Sequence, residues 1–431
     1  MSSRVERGAA DAVVPGGAPA ATGFALAAAV HRRALAAAVH RRWRRRRRAH
    51  RRRRVGAALT AAAPPPPAYG LGTLDLVGLL THPHLGVAVL EYVGDMVDAT
   101  QLRGTCVGAR DAVAAHAWPS SGTERVVHPA RWRRAFPAAT GANVSGNKRL
   151  RDDDFAFFRG LRKLWMIDCN QTTITDGAFV HLAGIHSLSM RGCNQATITD
   201  GAFVHLAGIH ALYRGGCNQA TITDGAFAHL AGIHTLNMVG CDQATITDGA
   251  FVHLVGIHTL DMRYCNQASI TDAAFAHLVG VNMLDMGGCN QANITDASFA
   301  HLAGINTLSI RGCTQATITD VAFAHLAGIH TLYMNGCNQA TITDAAFVHL
   351  AGIHTLDMSG CNQATITDSA FAHLRGIHTL DMRGCNRSTI TGAALAHLRG
   401  AHTLQLDRGD DVAFMRSALV RVAGVHALKW E

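Results

Sequence analysis

The chain repeats itself every 24 residues, and that period limits what it can fold into more than any single motif does. Phenylalanine recurs at Phe155, Phe179, Phe203 and onward to Phe371, with Leu395 and Leu419 at the last two steps. Glycine keeps the step from Gly160 to Gly424, and cysteine keeps it ten times from Cys169 to Cys385. The repeats run from about Leu150 to the end, so everything else must fit into the first third.

Each unit reads as one short helix and one short strand. In the stretch from Thr199 to Gly208, Asp200 is placed to cap a helix of about two turns, and Gly208 supplies the left-handed residue that closes it. Phe203 and Leu206 share one helix face, and Ile209 and Leu212 follow with the spacing of an inward-facing strand. Neither element buries a core alone, so neighbouring units must stack. The pattern of Ile185, Leu188, Met190 and Cys193 matches the leucine-rich repeat template at its Asn-or-Cys position.

With Cys361, Ile366, Thr367 and Asp368 spelling C-x-x-x-x-I-T-D, the units resemble the cysteine-containing subtype of leucine-rich repeats. The resemblance implies an α/β leucine-rich repeat solenoid, a horseshoe of about twelve units over residues 150–431. It also implies that the exposed strand columns line a concave face. Those columns vary while the inward ones hardly change, which makes Trp165, Arg191, Tyr213, Asp261, Arg263, Asp285, Arg311, Tyr333, Asp357, Asp381 and Arg383 the expected contacts for a protein substrate. The bland alternative is that exposed positions simply tolerate change.

The net charge of +9 suggests nucleic acid until it is located. Residues 31–54 hold 13 arginines and no acid, so the remainder of the chain is net acidic. The basicity belongs to a tail, residues 1–70, read as disordered, rich in Arg and Pro, and binding polyanions weakly. A nuclear localisation signal and an organelle transit peptide are the other readings of this segment. No uninterrupted apolar run is long enough to span a membrane, and a cytoplasmic or nuclear location is expected. Ten of the 11 cysteines fill one column, which favours free, buried thiols in a reducing compartment over disulfides or zinc.

Residues 71–120 read as short amphipathic helices, followed by a linker or N-terminal cap over 121–149. Pro83, Leu85, Val89, Leu90, Tyr92, Val93, Asp95, Leu102, Cys106 and Arg110 resemble the pattern of an F-box. In that family the segment grips a Skp-type adaptor of a cullin ubiquitin ligase, while the repeats hold the substrate. The resemblance thus implies a substrate receptor, with Pro83, Leu85, Leu90, Tyr92 and Val93 as adaptor-binding residues partly exposed for docking. A helical cap covering the apolar end of the first repeat is the other reading, and it would leave a general binding scaffold.

Chemistry is not evident. The stretch Gly141 to Lys148 misses a phosphate loop, because Asn147 separates the glycine from the lysine and no hydroxyl follows. There is no nucleophile elbow and no zinc-protease motif, so no enzyme, cofactor or metal is expected. Nineteen of the 26 histidines form two columns, one through His181 and His205 and the other through His186 and His210. Stacked imidazoles could collect metal or respond to pH, but copying a unit copies every residue in it, needed or not.

Overall fold

The computed structural model describes residues 125–407 continuously, together with 80, 90, 96–105, 107–119, 414, 420 and 427–430. The chain divides into two compact units, Met1–Gly72 and Thr73–Glu431, and every described residue belongs to the second. There, thirteen strands from β1 (Gly141–Asn143) to β13 (Ala427–Trp430) form one sheet in strict chain order. All neighbours are parallel, and the period sets the register: Thr355 lies beside Thr379, Leu356 beside Leu380 and Asp357 beside Asp381. This is an α/β leucine-rich repeat solenoid.

On the opposite side most units make one α-helical turn that tightens into a 3₁₀ turn, as at Asp200–Phe203 and Val204–Leu206, while Asp152–Phe158 and Asp368–Leu374 are 3₁₀ throughout. The turn closes at Gly208, whose φ is +79°. A Cβ there would meet no atom within 4 Å, so the backbone angle, not space, demands glycine.

The helix cap differs from the sequence expectation. Thr199, not Asp200, is the capping residue, and its hydroxyl accepts the amide of Gly201 at 3.1 Å. The Asp200 carboxylate reaches sideways instead and accepts both the amide (2.8 Å) and the hydroxyl (2.6 Å) of Thr223 in the next unit. The same pair recurs from Asp152 with Thr175 to Asp368 with Thr391. One step before the first threonine stands Arg151, and one step after the last aspartate stands Gly392. Each aspartate therefore orders the helix start of the unit that follows it.

Between the sheet and the helical side lies a continuous dry core. Phe203, Leu206, Ile209, Leu212, Cys217 and Ile222 are all buried, and their equivalents are buried in each unit from that of Phe155 to that of Phe371. Each fully buried Phe or Leu contributes about 2 kcal/mol, but only if the neighbouring units are present. The cysteines from Cys169 to Cys385 are free. Their thiols point at the preceding turn, as Cys217 Sγ donates to the Met190 carbonyl at 3.1 Å. Burial pushes the Cys217 and Cys313 thiols up to about 12, which keeps them protonated and unreactive.

Arg214 occupies the inward position that Met holds in most units. It neither reaches solvent nor distorts the strand end, and it is fully buried. Its guanidinium lies 5.9 Å from the Phe203 ring and 5.5 Å from that of Phe227. A weak bond of 3.4 Å runs to the Cys217 carbonyl, and two of its nitrogens have no partner.

Upstream of the repeats, helices α1 (Met96–Arg103), α2 (Val107–Ala115) and α3 (Pro129–Ala135) lead into β1, which pairs with Lys163–Trp165 of the first full unit. The sheet thus starts before Leu150, inside the segment read as a linker or cap. Trp118 is buried and donates its indole N–H to the Val113 carbonyl at 2.9 Å. Arg133 ties α3 to the first repeat by donating to the carbonyls of Phe157 and Arg159 at 2.8 and 2.7 Å. Pro83, Leu85, Val89, Tyr92, Val93, Asp95 and Cys106 lie outside the described residues, as does the arginine run. Leu90 is described, and at 3% exposure it belongs to the core that also holds Leu150, Phe155 and Phe158. That departs from the exposure expected of a docking anchor.

Candidate functional site: the strand face

Alternation along each strand sends Leu and Met inward and leaves two residues per unit on the outer face of the sheet. All eleven residues expected there occupy those columns, and most are exposed or half-buried. Only some of them come together. Arg263 grips Asp261 in its own unit through two bonds of 2.9 and 2.7 Å, and its Nε lies 3.4 Å from Asp285 in the next. Asn237 donates to Asp261 from the preceding unit at 2.6 Å. The bond to Asp261 raises the Arg263 guanidinium pKa further, so its charge is fixed at any accessible pH.

Two smaller groups lie along the same face. Arg383 forks onto Asp381, with bonds of 2.9 and 2.6 Å. The Arg311 guanidinium lies 4.5 Å over the Tyr333 ring. Asp357 is held within its own unit by the amide and hydroxyl of Ser359, at 3.0 and 2.7 Å. Trp165, Arg191 and Tyr213 stand apart from these clusters, with Tyr213 40% exposed.

Tyr264 is a residue that the face columns do not include. It occupies a column filled by Asp168 in the first unit, by glycine at 192, 216, 240, 288, 312, 336, 360 and 384, and by Arg408 after them. Asp168 and each of these glycines has a positive φ, and Tyr264 shares it at 60°. For a bulky aromatic side chain this is strained backbone. The ring rests over the next unit: a Cβ on Gly288 would come within 2.5 Å of Tyr264 Cδ1. Tyr264 is nonetheless 60% exposed. The signal was present in the sequence, as the one tyrosine in a glycine column.

The opposite rim of the strands carries histidine. His186, His210, His234 and His258 stack in succession with ring centroids 4.4 to 4.6 Å apart, and His330, His354, His378 and His402 stack at 4.3 to 4.4 Å. Asn282 and Asn306 interrupt the series. Thr hydroxyls lie 3.0 to 3.2 Å from the Nδ1 atoms of six of these rings, as with His330 and Thr331 or His402 and Thr403. Desolvation and then the neighbouring imidazoles lower the pKa of His186 and His234. Parallel rings cannot aim two lone pairs at one ion, and no metal-binding group of three or more ligands occurs among the described residues.

The solenoid places these features in a known class of fold. An internalin from Listeria monocytogenes superposes with a TM-score of 0.53 at 16% identity, covering 77% of this chain and 93% of its own. Toll, in its complex with Spatzle from Drosophila, superposes with a TM-score of 0.52 at 15% identity over 68% of this chain. The chain spans 39% of that Toll chain. At such identities the likeness is one of fold. No protein-family model and no curated protein matches the sequence. Among the described residues no helix is long and apolar enough to cross a membrane.

Proposed function

We propose that the chain is a non-enzymatic protein-binding scaffold, and that its partner docks on the strand face around Tyr264 and Arg263. The observation that carries this reading is the Tyr264 backbone. An aromatic residue held at positive φ costs about 1 to 3 kcal/mol, where glycine would cost nothing. The fold gains only partial burial in return, against Gly288 of the next unit, since the side chain stays mostly exposed. Beside it stands an arginine already fixed by two carboxylates, and an aromatic residue next to an ordered Arg is the composition of a binding hot spot. Toll in complex with Spatzle offers a precedent for a solenoid of this fold holding a protein ligand.

The test is Tyr264→Gly. Stability should rise by about 1 kcal/mol as strain is released, while capture of the partner, read by quantitative affinity purification, falls at least about tenfold. Equal capture by both proteins would overturn this placement of the site.

A narrower reading makes the scaffold a ubiquitin-ligase substrate receptor. It is supported by chain order, an F-box-like segment ahead of cysteine-containing repeats, and it assigns Pro83, Leu85, Leu90, Tyr92 and Val93 to a Skp-type adaptor. Burial of Leu90 favours the cap reading at that position. Co-purification of the full chain with a Skp-type adaptor, and its loss in Leu85→Ala with Leu90→Ala at an unchanged melting temperature, is what the receptor reading requires. A large fall in stability with no adaptor bound to either protein would leave the general scaffold.

A further inference from the structure

A cleft of about 700 Å³ opens between α1, α3 and the segment just before α3. Its polar lining is Thr100, Arg103, Arg125, His128, Arg131 and Arg134. No carboxylate is among the described residues that line it. The apolar wall includes Val126, Trp132 and Phe136.

These arginines are not occupied as their neighbour is. Arg133, on the same helix, spends its guanidinium on carbonyls of the first repeat. Among the described residues, no carboxylate pairs with Arg103, Arg125, Arg131 or Arg134. Arg134 makes one long bond of 3.4 Å to the Ala130 carbonyl. The Arg103 guanidinium lies 5.9 Å from the Phe136 ring, and its Nε is buried without a partner. Four like charges around one concavity repel one another, and the low-dielectric wall sharpens their field. A multivalent anion with several acceptor oxygens relieves both costs, and planar guanidinium forks suit phosphate oxygens.

We infer that this cleft binds a small, multiply charged phosphate compound. A nucleic-acid strand fits less well, because strand binding uses exposed aromatic platforms and the rings here are turned inward, with Trp132 at 7% and Phe136 at 3% exposure. The volume suits a ligand the size of a nucleotide or smaller. The inference is independent of the strand face, which lies on a different part of the solenoid.

Inorganic tripolyphosphate is the probe, titrated into the full chain at about 0.15 M salt so that loose polyanion contacts are screened. Three proteins are compared: the unmodified chain, Arg125→Gln with Arg131→Gln, and a control in which Arg44 to Arg48 are all replaced by Gln. Both substituted cleft residues are exposed, and the melting temperature without ligand checks that folding is intact. Saturable binding that raises the melting temperature is expected for the unmodified chain and the control. The cleft variant should bind at least about tenfold more weakly, the loss of one or two charge-assisted hydrogen bonds. Unchanged affinity in the cleft variant, or loss in the tail control alone, overturns the assignment. So does a single-stranded RNA oligonucleotide that binds more tightly than tripolyphosphate and with the same dependence on Arg125 and Arg131.

Discussion

At the scale of single residues, deviations from the repeat are more informative than the repeat itself. Arg214 is a charge in a dry core, with two nitrogens unsatisfied and two phenylalanine faces as its main company. Replacing such a group by a well-packed apolar residue stabilises proteins by about 1 to 4 kcal/mol, and Met already fits the equivalent site in neighbouring units. Arg214→Met should therefore raise the denaturation midpoint, measured by chemical unfolding, and a lower midpoint would show that the buried charge is compensated in solution. The anomaly was visible in the sequence, but its outcome was not: column position gives direction, whereas the choice between snorkelling and burial depends on side-chain rotamers. Tyr264 was equally legible as an intruder among glycines. It sits one residue past the variable face columns, where strand alternation no longer assigns a side chain its direction.

At the scale of elements, periodicity predicted the inward Phe, Leu, Ile and Cys columns and the glycine that ends each helix, since these depend on local spacing. It misplaced the cap. Thr199 and Asp200 are both good capping residues, and what assigns their roles is a threonine 23 positions further on, Thr223. The face clusters were only half legible for the same reason, since the sequence shows which residues face out but not which of them touch. The histidine ladders make a prediction at this scale. The folded pKa values of His186 and His234 are lowered, so the folded state binds protons less readily than the unfolded chain. Their contribution is fully retained above the ordinary histidine pKa of about 6.5 and is lost as the pH falls through the lowered values. Arg162 and Lys163 add to this at the His186 end. Melting temperature should fall between pH 7.5 and 5, and less so in a variant with His210→Asn and His354→Asn, which breaks each stack as Asn282 and Asn306 already do. An unchanged profile would mean that solvent screens the rings completely.

At the scale of the molecule, every interior unit presents the same surfaces to the units before and after it. Excising residues 329–352, one whole period, brings Gly328 onto Ile353 and Asp320 beside Thr367, so each bond across the seam is remade in kind. This shortened chain should fold with native-like circular dichroism. Removing one residue fewer should prevent folding, because a one-residue slip turns the buried face of the following strands outward. Equal folding of the two deletions would refute a register held by the period. The two ends of the aspartate–threonine series behave differently from the interior. At the leading end Arg151 stands where a threonine would donate, and at the trailing end Gly392 stands where an aspartate would accept. The unit that carries β13 therefore lacks the side-chain clamp that each unit from Thr175 to Thr391 receives, and it is where unravelling of the stack should begin.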